Sequence, residues 1–309
     1  MVIDIDEIIN SIKKPSQLRA PYHYYGGKMK HAPYIVALIP RHKRYVEAFG
    51  GDCHIFWAKP PSPEEIINDI DDRIVNFYHV LRDEKKFFKL WFKIMFTPYS
   101  RKDHYLAEKI FDGEIEADEI DKAWAFYVMV MTGFAGHVLG GFNPAYKDCK
   151  TFDRRKLSFF YFHFRISNVI IENCDALKLI PRYDDPETFF YCGPPYPIDS
   201  LKLSKPYPYM MTYEQHEKLL EILNGIKGMC IISSYPNKLY DKMLFKRGWG
   251  RFYLKKALES KKVKKGEKRS RMVEAFYINP KALKRLKEEG PMWPSPLFKK
   301  MFRRIKVYA

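Results

Sequence analysis

Residues 188–192 read TFFYC, a short β-rich run with no polar alternation. A strand wetted on one face alternates apolar with polar residues. One that does not is covered on both faces, as in a parallel sheet packed between helices. Residues 169–172 (VIIE) and 229–233 (MCIIS) have the same character. Two earlier runs, 44–49 (RYVEAF) and 65–70 (EIINDI), end in glycines and in acids respectively. Between such runs lie segments with apolar residues at helical spacing, 72–82 (DRIVNFYHVLR) and 213–224 (YEQHEKLLEILN). Strand–helix–strand alternation with short glycine turns predicts an α/β, doubly wound, Rossmann-like fold.

The stretch 83–165 breaks that rhythm. It holds a helical run at 84–94, an acidic stretch at 114–121, a second helical run at 122–131 and a glycine-rich loop at 133–146 (GFAGHVLGGFNPAY). It reads as a mostly helical insertion. The expected division is a sheet domain from 1–82 and 166–290, the insertion at 83–165, and a basic tail at 291–309 after the turn PMWPSP. Residues 255–271 (KKALESKKVKKGEKRSR) read as a mobile basic loop.

Charge is uneven. The chain carries a formal +17, and residues 241–309 hold 22 Lys/Arg against 6 Asp/Glu. The first 240 residues are therefore close to neutral. A basic end on a folded protein points to a polyanion, nucleic acid first and anionic lipid second. Lys261, Lys262, Lys264, Lys265 and Arg269 are the candidate phosphate contacts. Five scattered cysteines without a CxxC pair argue against a disulfide framework or a zinc site, and fit a reducing compartment. No 18-residue apolar run and no secretory leader are apparent, so the expected partner is not a membrane and the expected location is the cytoplasm. No metal is expected.

Three constellations could carry chemistry. The first, Glu47-Ala48-Phe49-Gly50-Gly51-Asp52, is a strand ending in glycines, where backbone can approach a ligand closely. An ordinary strand-to-helix turn is the plainer alternative. The second is Asn68-Asp69-Ile70-Asp71, about twenty residues later, where a carboxylate at a strand end can accept ribose hydroxyls. Its alternative is a helix cap by Asp71 or Asp72. Together the two suggest a nucleoside-containing cofactor. Gly26-Gly27-Lys28 is followed by Met29, so no Walker loop is present. The third is Gly193-Pro194-Pro195-Tyr196 at the end of the 188–192 run. Two prolines hold the chain extended and remove two N–H donors. Carbonyls and the ring of Tyr196 are then presented together, which suits a planar base with an exocyclic amine.

In this order, over about residues 20–280, the landmarks resemble those of the Dam-type (class α) adenine-N6 DNA methyltransferases. Tyr25-Gly26-Gly27-Lys28 is similar to the family's N-terminal element, which contacts the methionine part of S-adenosyl-L-methionine. The 47–51 loop resembles Glu-Pro-Phe-x-Gly, with Ala48 in place of proline and Cys53 where a second glycine is common. Asp69, with Ile70 beside it, matches the ribose-binding acid. Asp175, followed by Ala176, resembles the later strand end that contacts the cofactor's adenine. Residues 274–279 resemble the closing strand. The 133–146 loop, with Asn143, loosely resembles the target-recognition region. The resemblance implies S-adenosyl-L-methionine as cofactor, double-stranded DNA as partner, base flipping, and a prokaryotic or viral setting such as restriction–modification.

One position departs from the pattern. The family signature begins with Asp, or Asn or Ser in relatives, and here it begins with Gly193. The mechanism implied by the resemblance stacks a flipped adenine on Tyr196. Its amino group then donates to the residue-193 side chain and to the Pro194 carbonyl. Losing the first acceptor predicts an impaired enzyme, slowed on the order of 10²–10³. Two alternatives stand beside it: a DNA-binding protein without chemistry, and a cytosine-N4 methyltransferase.

Overall fold

The computed structural model describes residues 20–136, 138, 140–156, 158–197, 208–256 and 272–307. They form eight strands: β1 (Arg44–Glu47), β2 (Glu64–Asn68), β3 (Ile170–Glu172), β4 (Thr188–Cys192), β5 (Met229–Ser234), β6 (Gly250–Lys256), β7 (Met272–Ile278) and β8 (Lys306–Val307). The strands build one mixed sheet in the order β3-β2-β1-β4-β5-β7-β6-β8. β1 runs parallel to β2 and β4, and β4 parallel to β5. The far side is antiparallel, with β7 between β5 and β6 and β8 on the outer edge. Strand order reverses between β1 and β4. In an open α/β sheet that switch point is where a crevice opens at the carboxyl ends of the strands.

The chain divides into two compact units, residues 28–70 with 172–309, and residues 1–27 with 71–171. The first holds the strands that matter here. On one sheet face Val46, Phe190, Cys192, Cys230, Ile232, Ala275 and Tyr277 pack under the helices Ala176–Arg182, Tyr213–Gly225 and Lys238–Phe245. Each fully buried Leu, Ile or Phe there contributes about 1.5–3 kcal/mol. Because strand residues alternate faces, Tyr191, Ser233 and Glu274 fall together on the opposite face.

The C-terminal segment is part of this unit rather than a free tail. Pro291 bridges Pro40, the Met292 N–H donates to the Ile39 carbonyl at 2.8 Å, Met301 is fully buried, and β8 extends the sheet beside β6. Apolar residues spaced among the lysines of 297–305 provide that packing. Lys255 and Lys256, read from sequence as the start of a basic loop, end β6.

The second unit is helical. Its α-helices span Asp72–Arg82, Glu84–Phe96, Arg101–Phe111, Glu119–Thr132, Tyr146–Lys156 and Phe159–Ile166. Four of them begin on a side-chain cap, Asp71, Asp83, Ser100 or Asp118, each accepting an N–H of the first turn. Such a cap contributes about 1 kcal/mol. The acidic stretch at 114–121 thus ends in the start of a helix, because Asp118 accepts from both Ile120 and Asp121. Aromatic side chains fill the interior: Phe77 stacks on Tyr127, and Tyr22 meets Phe77 and Phe126 edge-on.

Candidate active site

The β1 end is built around a glycine loop. The Gly50 N–H donates to the Asn68 carbonyl at 2.7 Å, and the Gly51 N–H donates to Asp69 Oδ2 at 2.7 Å. Gly51 has φ +51°, and Cys53 also lies in the left-handed region at φ +47°. A Cβ on Gly50 would meet the Asn68 carbonyl oxygen at 2.8 Å. The loop therefore closes onto the β2 end only with glycine there. Asn68 ties three chain segments together: its amide donates to the Ala48 and Cys174 carbonyls and its Oδ1 accepts the Cys174 N–H.

Asp69 is held at this loop, and Ile70 beside it is half exposed, an apolar surface next to a carboxylate. Asp71 is the helix cap, so the two acids divide the roles that the sequence left open. Asp175 caps the helix Ala176–Arg182 through the Leu177 N–H, and Ala176 is buried. Phe49 packs partly buried against the sheet core. Glu47 is turned inward: its Oε2 accepts the Tyr45 hydroxyl at 2.7 Å and the Phe56 N–H at 2.8 Å. Burial pushes its carboxyl up to about 8. It braces the loop from beneath. The glycine cradle and a carboxylate at the next strand end fit a nucleoside-bearing group.

The β4 end lies next to it, joined by the Ala48 N–H donating to the Tyr191 carbonyl at 3.2 Å. The described chain continues through Gly193, Pro194, Pro195 and Tyr196 to Pro197. A Cβ on Gly193 would lie 3.5 Å from Tyr191 Cε1, 3.7 Å from Ser233 Oγ and 3.8 Å from Tyr191 Oη, ordinary contact distances. Tyr196 is buried, where an open stacking face was expected. Its hydroxyl reaches Glu274 Oε1 and sits 3.2 Å from Ser233 Oγ. Its ring has the Lys28 ammonium 5.1 Å from its centroid and Tyr235 edge-on at 4.8 Å.

Beneath the site is a buried polar cluster centred on Glu274, which is fully buried on β7. Lys28 Nζ is 3.1 Å from its Oε1, and His31 Nδ1 is 2.8 Å from its Oε2. Tyr191 donates to Ser233 Oγ at 3.3 Å. Burial pushes both the Tyr191 and Tyr196 phenols above their ordinary range, so both keep their protons.

The remaining sequence candidates fall in the helical unit or outside the described residues. Tyr25, Gly26 and Gly27 belong to the helical unit, where the Tyr25 N–H donates to the Gly136 carbonyl at 3.2 Å. Gly136 has φ +72°, and a Cβ there would lie 2.9 Å from the His23 carbonyl oxygen. Asn143 is at the far end of the same loop. Its carbonyl accepts the Tyr99 hydroxyl, and its Oδ1 accepts the Ala145 N–H just before the helix Tyr146–Lys156. Lys261, Lys262, Lys264, Lys265 and Arg269 lie outside the described residues.

Residues 24–268 match the family model of D12 class N6 adenine-specific DNA methyltransferases. The chain belongs to that family. It is also 24% identical over 232 residues to the DNA N-6-adenine-methyltransferase of Escherichia phage P1, a match covering 71% of this chain and 30% of that protein. The chain thus spans about 30% of the length of that curated relative. D12 methyltransferases use S-adenosylmethionine, and the mixed α/β sheet is in keeping with the family. No helix among the described residues is long and apolar enough to cross a membrane.

Sequence reasoning missed two residues at these strand ends. Glu274 was read only as part of a closing strand. A charged residue inside the run MVEAFYI was the available signal, because a buried charge needs partners. Ser233 carried no signal, since its role depends on which strands become neighbours.

Proposed function

We propose that this chain transfers a methyl group from S-adenosyl-L-methionine to the N6 amino group of adenine in double-stranded DNA, at a rate lowered by Gly193. The observation that carries the reading is the adjacency of two strand ends within one unit, the glycine loop with Asp69 and the Gly193-Pro194-Pro195-Tyr196 turn.

In this reading Gly50, Gly51, Asp69, Ile70, Asp175 and Ala176 hold the nucleoside part of the cofactor. Lys28 serves its amino-acid part. When bound, the cofactor supplies the methyl as a sulfonium. The Pro194 carbonyl accepts one amino hydrogen of a flipped adenine and orients the nitrogen. Transfer would form the N–C bond at the expense of the S–C bond, whose electron pair would stay on sulfur, with the surplus nitrogen proton released to solvent. No general base is required before transfer. Residues 83–165 and the basic 241–309 part supply contacts to DNA, with Asn143 and the lysines between 261 and 265 as candidates.

The test is to expose a randomised DNA pool to the chain and to Gly193→Asp, then sequence it with a method that detects methylated adenine. Methyladenine in one sequence context, far more abundant with Gly193→Asp, supports the reading. Product at cytosine N4 would leave the mechanism and overturn the base. Gly193 itself favours a second reading, a DNA-binding protein without chemistry. Absence of any product from Gly193→Asp, with cofactor bound, would establish that one instead.

A further inference from the structure

The place a residue-193 side chain would occupy is bordered by hydroxyl oxygens. The nearest polar atoms to a Cβ built there are Ser233 Oγ at 3.7 Å and Tyr191 Oη at 3.8 Å. These two are bonded to each other at 3.3 Å, Ser233 Oγ contacts the Tyr196 hydroxyl at 3.2 Å, and Tyr196 reaches Glu274. Each hydroxyl has one proton to give. A carboxylate only accepts, so the Tyr196 proton is directed to Glu274. The Ser233 proton is then directed to Tyr196, and the Tyr191 proton to Ser233. The run Tyr191–Ser233–Tyr196–Glu274 thus has a single direction, with every proton drawn toward a carboxylate held between Lys28 and His31. The near end is left as lone pairs, on Tyr191 Oη and on Ser233 Oγ.

We infer that this hydroxyl relay stands in for the missing side chain at residue 193 and holds the second hydrogen of the adenine amino group through one water. The water donates to Tyr191 Oη and to Ser233 Oγ and accepts from the amino group, three partners in all, which is the usual number for a buried water. Donating both its protons into a chain that ends on a carboxylate makes its oxygen a better acceptor, because aligned hydrogen bonds polarise one another. The acceptor remains neutral, and a neutral acceptor is weaker than a carboxylate. The relay therefore supports a slow transfer and leaves room for improvement by an acid at 193. Tyr191 and Ser233 are positioning residues that act through the water, and Tyr196 and Glu274 polarise the chain from behind. This inference rests on the adenine-N6 reading above.

A double-mutant cycle tests it. Tyr191→Phe removes one hydroxyl and keeps the ring. Gly193→Asp supplies the direct acceptor. In the Gly193 chain, Tyr191→Phe should lower methyl transfer by about tenfold, the worth of one neutral hydrogen bond. In Gly193→Asp the same change should cost about threefold or less. A readout without chemistry accompanies it, the equilibrium binding of 2′-deoxyadenosine 5′-monophosphate against the same nucleotide with purine as its base, which lacks the amino group. The amino-bearing nucleotide should bind more tightly to the Gly193 chain. Tyr191→Phe should reduce that preference to what the Pro194 carbonyl alone provides, and Gly193→Asp should restore it. Ser233→Ala should behave as Tyr191→Phe does. Equal losses in both backgrounds, or a preference untouched by either hydroxyl deletion, would overturn the relay while leaving the adenine reading intact. If Gly193→Asp neither transfers methyl nor prefers the amino-bearing nucleotide, the adenine reading itself fails and takes the relay with it.

Discussion

A Cβ added to Gly50 would meet the Asn68 carbonyl oxygen at 2.8 Å and Cys53 Sγ at 3.0 Å, whereas one added to Gly193 would find its nearest neighbours at 3.5–3.8 Å. The two glycines follow neighbouring parallel strands of one sheet. At the first, backbone packs against backbone, and no other residue allows the β1 loop to close on β2. At the second there is room for a side chain, and φ lies outside the left-handed range that favours glycine. Glycine at 50 serves the fold. Glycine at 193 is not required by the backbone. The end of β2 carries a carboxylate, Asp69, held by the glycine loop, while the end of β4 carries none at residue 193.

Four experiments sharpen or break that contrast. Asp69→Ala should weaken S-adenosyl-L-methionine binding by about 1.5–3 kcal/mol, through loss of a charged acceptor. Calorimetry showing unchanged affinity would remove Asp69 from the cofactor site. Gly50→Ala should destabilise the protein by about 1–3 kcal/mol, because the neighbour it strikes is backbone and cannot swing away. Denaturant titration showing no shift in midpoint would mean the loop relaxes freely.

The third concerns Glu47, the brace under the same loop. Its folded pKa of about 8 lies above its ordinary value of 4.5. Between those values the folded state retains a proton that the unfolded chain releases. Its contribution is therefore complete below about pH 4.5 and declines as pH rises through about 8. The slope is at most about 1.4 kcal/mol per pH unit, the limit for one proton. Glu47→Gln should flatten thermal stability over that window, and an unchanged profile would mean other groups set it. The smallest effect belongs to Gly193→Ala, whose stability should stay within about 0.5 kcal/mol of the parent. A large loss there would show that glycine at 193 is required by the fold after all.

What the sequence disclosed follows the range of the interactions involved. β4 and the helix Asp72–Arg82 occupy the residues their patterns predicted, because burial on two faces and apolar periodicity are local signals. The glycine loop was legible because close backbone approach leaves glycine as its trace. Residues 274–279 were legible as a strand, but the antiparallel place of β7 between β5 and β6 was not, since strand order depends on contacts between distant segments. Nor was the β8 edge strand, two exposed residues after a proline-rich turn. Tyr196 shows the same limit at the site. The Pro-Pro-Tyr run marks a special strand end, yet whether the ring is open or engaged depends on Glu274, 78 residues away.

In the proposed reaction the side chain at 193, and not the scaffold around it, limits transfer. Single-turnover transfer of a labelled methyl group to adenine, with cofactor and DNA saturating, compares the Gly193 chain with Gly193→Asp directly. The account predicts a rate higher by about 10² or more for Gly193→Asp, the worth of a charged acceptor placed at the reacting group. Cofactor affinity should be unaltered. Equal rates in two folded, cofactor-bound proteins would contradict it.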